Sequence, residues 1–219
     1  MPRVLLAAGE LDRATFRIEQ GAIGGVPALD FQFGCSLNPV AIMDASFQFD
    51  FFGGDGFDVG FLSFLQLDAA GNINVSLLPS RPHVTAGIGG FMDITAQARR
   101  LAFSGFFRAG GLKLAVRDGK LEILEEGRLA KFVAAVDQIT LSGEQARQRS
   151  TRITVVTERG VLEQGSQGLE LTEVAPGIDP ERDVVRLAEL PIRISPKLRP
   201  MEAALFQPTP CSPLLREDR

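Results

Sequence analysis

The stretch Glu19-Gln20-Gly21-Ala22-Ile23-Gly24-Gly25-Val26-Pro27 decides how this chain is read. Immediately upstream, Thr15-Phe16-Arg17-Ile18 alternates polar and apolar side chains, the pattern of a strand end. A carboxylate is therefore expected where a strand opens into a glycine loop, the position at which open α/β sheets hold their ligands. The three glycines permit positive φ and let a ligand come close to backbone N–H groups. Taken alone, the stretch fits equally well a tight turn carrying a solvated Glu.

A second glycine stretch, Gly87-Ile88-Gly89-Gly90-Phe91, lies between apolar segments and leads into a helix-like run, Met92 to Ala98. The pair Glu-x-Gly-x-x-Gly and Gly-x-Gly-Gly-Phe, in that order, resembles the motif pair of the family I coenzyme A transferases. Further blocks resemble the acetate/propionate-type members. These are Gly24 to Pro27, Phe33-Gly34, Asn38 to Ile42, Gln48 to Phe51, Gly71 to Ser76, Ala109 to Lys113, Ile139 to Glu144 and Ala175 to Asp179. They keep family order from Arg13 to Phe206, and the similarity is to the carboxy-terminal, β-subunit-like half. The resemblance implies that upstream elements and a whole α-type half come from a partner chain or were lost by truncation.

Composition narrows the classes independently. A chain of 219 residues can bury one sizeable core, and 45% hydrophobic with 23% charged residues is ordinary for a globular protein. Sixteen Phe without Tyr or Trp supply large rings that need no hydrogen-bond partner. A net charge of −4 argues against nucleic acid as a partner. Cys35 and Cys211 match no metal or redox spacing and fit a reducing compartment. No signal peptide is evident at the N-terminus, and no apolar run approaches the roughly 18 residues that cross a bilayer. The sequence is read as cytoplasmic, with no membrane partner.

The periodicities predict an α/β fold: an open, mostly parallel sheet flanked by helices, with additional β-hairpins. One domain is expected over 1–206, followed by a loose tail over 207–219. Val4 to Ala8 has a short helical pattern ended at Gly9, and Asn38-Pro39 reads as a helix start. Phe47-Gln48-Phe49-Asp50-Phe51 alternates and reads as a strand, and Asp58 to Leu67 reads as a buried one. Asp118-Gly119 marks a hairpin between Leu112–Val116 and Leu121–Leu124. Arg99–Phe107, Ile153–Thr157, Gly160–Glu163 and Leu169–Val174 read as further strands. A helix capped by Asp179 is expected over 180–190.

The resemblance implies a chemistry. Coenzyme A is a substrate, together with an acyl-CoA and a short-chain carboxylate; no cofactor is held permanently. Glu19 would be the nucleophile, in a ping-pong reaction through a glutamyl-CoA thioester. A glutamate carboxyl in water titrates near ~4.3, so such a nucleophile needs no separate base. Oxyanion donors implied by the family are the backbone N–H at Gly89 or Gly90 and the amide of Asn74, which spacing alone does not separate from Asn72. Gly21 and Gly24 would keep the first loop open to the acyl group, and Gly87 and Phe91 would line the second. Arg99, Arg100, Arg108 and Lys113 lie near that loop but read more simply as solvated surface charges. The one histidine, His83, has no proton to move in this mechanism, and no spacing suggests a metal. The alternatives are a catalytically silent or truncated acyl-CoA-binding subunit, or another reaction on the same fold. Association with an α-type half, a second copy or both is expected, because a shortened sheet leaves apolar surface exposed.

Overall fold

The computed structural model describes residues 5–6, 9–28, 32–54, 57–77 and 87–207. His83, Cys211, Asp55 and the expected tail beyond Gln207 lie outside them. The first elements are short strands: β1 (Ala22–Ile23), β2 (Val26–Pro27), β3 (Ser36–Leu37) and β4 (Ala41–Ile42). They pair antiparallel, β1 with β4 and β2 with β3, as a small β layer. Helix α1 (Ala45–Gly53) follows, then β5 (Val59–Ser63), β6 (Gln66–Leu67) and β7 (Ile73–Asn74). After the second glycine stretch come α2 (Phe91–Gln97), β8 (Arg100–Ser104) and β9 (Arg108–Ala109). The Asp118-Gly119 hairpin joins β10 (Lys113–Arg117) to β11 (Lys120–Glu125), with both turn residues at positive φ as the sequence predicts. The chain continues through β12 (Leu129–Ala130), α3 (Gly143–Gln148), β13 (Arg152–Val156), β14 (Gly160–Gly165) and β15 (Gly168–Val174). It closes with α4 (Pro180–Asp183) and β16 (Ile192–Pro200).

The expected α/β class holds. The main sheet has six strands in the order β16-β15-β14-β13-β8-β5. Strands β5, β8 and β13 run parallel, as do β15 and β16, while β13-β14-β15 form an antiparallel meander. Leu101, Phe103, Val155, Leu162 and Leu171 are fully buried on it, each contributing about 1.5–3 kcal/mol of apolar burial. Among the described residues no helix is long and apolar enough to cross a membrane.

Four expectations are corrected. Asn38 does not cap a helix; it sits at φ 51, and Ala41–Ile42 pairs with β1. The helix begins after Asp44 and contains the Phe-Gln-Phe-Asp-Phe run that reads as a strand. What decides is the i, i+4 pair Gln48 and Phe52, both buried, which gives the segment a helical inner face. Phe52 meets Phe49, Phe51 and Phe57 edge-on, a cluster that a strand could not gather on one side. Thr15–Ile18 is no strand of the main sheet and makes only an isolated bridge, Arg17 to Ile23. Asp179 does cap α4, accepting from the Arg182 N–H at 2.7 Å, but that helix ends at Asp183.

At the carboxyl ends of β5 and β8 sits a half-buried lysine that sequence reading did not single out. The Lys131 ammonium lies 3.8 Å over the Phe64 ring and against Gly105. Burial lowers its pKa from the usual 10.5 to about 8, partly opposed by the charge of Glu158. Between pH 8 and 10.5 the unfolded chain therefore binds more protons than the folded one, and stability rises with pH across that window. The penalty is fully present below pH 8. Thermal melts are expected to show this rise in the wild type, and Lys131→Met should abolish it and be more stable at pH 7.

Candidate active site

Glu19 lies at the centre of a tight turn. The Gly21 N–H donates to the Ile18 carbonyl at 2.8 Å and the Ile18 N–H to the Ala22 carbonyl at 3.0 Å, placing Glu19 and Gln20 at the tip. Gln48 holds this turn against α1: its side-chain amide donates to the Ile18 carbonyl and its oxygen accepts from Arg17, each at 3.3 Å. Buried Gln48 has no other evident purpose, which explains a polar residue on the inner face of a phenylalanine-rich helix.

The second glycine stretch is brought to that tip. Strands β5 and β8 are parallel and α2 crosses back between them, ending at the amino end of β8. The start of α2 therefore lies toward the carboxyl ends of these strands, where open sheets place ligands. There the Gly90 N–H donates to Glu19 Oε2 at 3.0 Å, across 71 residues of sequence. The other oxygen, Oε1, accepts from the Gln20 side-chain amide at 3.2 Å. Gly90 has an ordinary φ of −78, so its missing side chain matters for space. A β-carbon there would stand 2.7 Å from Glu19 Oε2 and 2.5 Å from the Phe49 ring. Gly89, at φ +55, supplies the turn that aims the Gly90 N–H.

The other expected site residues are placed differently. Gly21 and Gly24, both at positive φ, do not open the loop; they let it close on its neighbours. A β-carbon at 21 would collide with the Met43 carbonyl, and one at 24 with the Val40 side chain. A β-carbon at Gly87 would meet no described atom within 4 Å, whereas Phe91 is a buried ring packed 6.1 Å from Phe103. Asn74 is fully buried, and both hydrogens of its amide are used, on Gln66 Oε1 at 2.7 Å and the Leu77 carbonyl at 3.1 Å. Its oxygen accepts from the Ser76 and Leu77 N–H groups. Asn72 donates one amide hydrogen to Asp68 Oδ2 at 3.0 Å, and its oxygen accepts from the Gly143 N–H at 3.1 Å. Asn74 has no hydrogen left for an oxyanion; both asparagines brace the β6–β7 turn, as Asn in a turn commonly does. Asn74→Ala is expected to cost about 1–3 kcal/mol for the groups it leaves unpaired, read as a lower urea midpoint, with the rate per folded molecule unchanged.

Sequence reading missed Gln20, Gln48 and Phe49 as parts of this site. Gln20 was legible as the neighbour of Glu19. Gln48 and Phe49 were not, because their segment reads as a strand. Among the described residues no cluster of His, Cys, Asp and Glu could hold a metal ion.

Comparison with known proteins bears on this geometry. No family model matches the sequence. An acetate CoA-transferase of Escherichia coli strain K12, YdiF, is 39% identical over 198 residues, 90% of this chain and 37% of that protein. The crystal structure of an acyl-CoA transferase from Escherichia coli O157:H7, in a thioester complex with CoA, superposes with a TM-score of 0.86 at 37% identity. It covers 96% of this chain and 39% of that one. Over about nine-tenths of its own length this chain is similar to coenzyme A transferases. A caffeate CoA-transferase of Acetobacterium woodii is similar too, 37% identical over 205 residues, 93% of this chain and 39% of that protein. The chain thus spans under two-fifths of the length of the curated relatives it matches.

Proposed function

We propose that this chain carries the covalent centre of a CoA-transferase, moving coenzyme A between a short-chain acyl-CoA and a free carboxylate with Glu19 as nucleophile. The observation that carries the reading is the 3.0 Å hydrogen bond from the Gly90 N–H to Glu19 Oε2. Two glycine motifs far apart in sequence meet at one carboxylate.

The two carboxylate oxygens take different parts. Oε1 attacks the thioester carbonyl; the tetrahedral adduct collapses to a mixed anhydride, and the C–S electron pair leaves on the CoA thiolate. The thiolate then attacks the Glu19 carboxyl carbon. Negative charge gathers on Oε2, which the Gly90 N–H already faces within the 2.7–3.1 Å that suits an oxyanion donor. Collapse forms the glutamyl thioester and expels the first carboxylate, which takes Oε1 with it. A second carboxylate runs the sequence backwards and restores Glu19. No proton is transferred in either half.

A complementary α-type half completes the site in this reading. Phe33, Leu37, Val40, Ile42 and Phe47 are all exposed on the β layer and helix that carry Glu19, with Val40 86% accessible. Apolar surface gathered beside a reactive group suits a covering partner. With Asn74 occupied, a second oxyanion donor also has to come from elsewhere. Steady-state kinetics test the scheme: with the complementary half supplied, double-reciprocal plots should be parallel when acyl-CoA and carboxylate are varied. Intersecting lines would exclude a covalent relay. A silent acyl-CoA-binding subunit has no use for a carboxylate held against a glycine amide, and would show no exchange of labelled carboxylate into acyl-CoA.

A further inference from the structure

At the amino ends of β8 and β13, the sheet edge opposite Glu19, a cleft of about 440 Å³ is lined by Arg99, Arg100, Arg149, Ser150 and Arg152. We propose that this cleft is a binding site for a diphosphate or phosphomonoester group, as carried by a nucleotide. The inference stands apart from the acyl-transfer reading and uses none of its residues.

Four guanidinium groups share the cleft without a carboxylate among its lining residues. Among the described residues none of the four lies within 4.0 Å of an acidic side chain. Exposed Arg13, Arg117, Arg182, Arg186, Arg193 and Arg199 each do. The arrangement is built into the backbone. Arg152 and Arg100 are register partners on parallel strands, and the Arg152 N–H donates to the Arg99 carbonyl at 3.1 Å. Like charges at directly opposed positions repel and destabilise a sheet. Ser150, at φ 59, turns the chain between α3 and β13 so that Arg149 and Arg152 flank one space. Arg149 is tied down through the Ala96 carbonyl at 2.9 Å. Asp58, which precedes the neighbouring strand β5, approaches Arg100 through its backbone carbonyl, at 3.1 Å from the Arg100 N–H.

Such a cluster in a chain of net charge −4 calls for an anion that can face several guanidinium forks at once. A monocarboxylate satisfies one fork; phosphate oxygens offer two or more, and arginine pairs with them bidentately. The phosphates could belong to coenzyme A itself or to a separate phosphorylated ligand.

Calorimetric titration of the 219-residue chain with inorganic pyrophosphate tests the proposal. One saturable site is expected, weakening as salt is raised. Arg149→Ala and Arg99→Ala, on separate elements, should each weaken it about tenfold or more, with melting curves unchanged. If one variant fails to fold, the other carries the test. Glu19→Gln should bind as the wild type does. Displacement of pyrophosphate by coenzyme A but not by pantetheine would assign the site to the CoA nucleotide. Displacement by ADP but not by coenzyme A would assign it to a separate nucleotide. Absence of a saturable heat, or binding unaltered in both variants, would overturn the proposal.

Discussion

Glu19→Gln, assayed with the complementary half supplied, is expected to lose CoA transfer by on the order of 10⁴-fold or more, the scale seen when a covalent nucleophile is removed. The substitution is close to isosteric, and the amide oxygen can still accept from the Gly90 N–H. Folding is therefore not at stake: the melting temperature should stay within a degree or two of the wild type. What is lost is the anionic oxygen that attacks the thioester. A variant that transfers CoA at a tenth of the normal rate would remove Glu19 from the mechanism.

Gly90→Ala is the second large effect. At φ −78 the backbone tolerates alanine, so this is a test of space and not of glycine flexibility. The added methyl would lie 2.7 Å from Glu19 Oε2 and 2.5 Å from the Phe49 ring, and it must push one of them aside. If the carboxylate moves, its oxyanion donor is lost, worth about 10²–10³ in rate. If the ring moves, α1 shifts and the Gln48 clamp on the Glu19 turn loosens. Either way CoA transfer should fall by roughly two to three orders of magnitude, while the main sheet melts as before. Trimming the ring in Gly90→Ala/Phe49→Leu should recover part of the loss. Equal rates in Gly90→Ala and the wild type would show that the Gly90 N–H is not aimed at the reacting carboxyl.

Much of the main sheet was legible because β8, β13 and β15 alternate cleanly between buried and half-exposed positions, and because Asp118-Gly119 has a single turn geometry available. The region around the site was less so. Over residues 38–53 a two-residue period and a helical face coexist in one phenylalanine-rich segment. The choice was made by Gln48, whose burial follows only once the Glu19 turn packs against it. The pairing of Glu19 with the second glycine stretch was expected from motif resemblance, and the structure places it at Gly90. Asn74 shows the opposite case. An asparagine beside a turn satisfies its own backbone first, and spacing says nothing about whether its hydrogens are free. The arginine cleft escaped for a similar reason: Arg99 and Arg100 read as solvated charges, and only the parallel register with β13 brings Arg152 beside them.

The most direct measurement is the mass of the Glu19 peptide after the chain, with its complementary half, is incubated with acyl-CoA and the thioester is reduced with borohydride. The account predicts that the carboxyl of Glu19 is converted to an alcohol only when acyl-CoA is present, and that the Glu19→Gln peptide is unchanged. An unmodified Glu19 peptide under turnover, or the same mass change on another carboxylate, would contradict it.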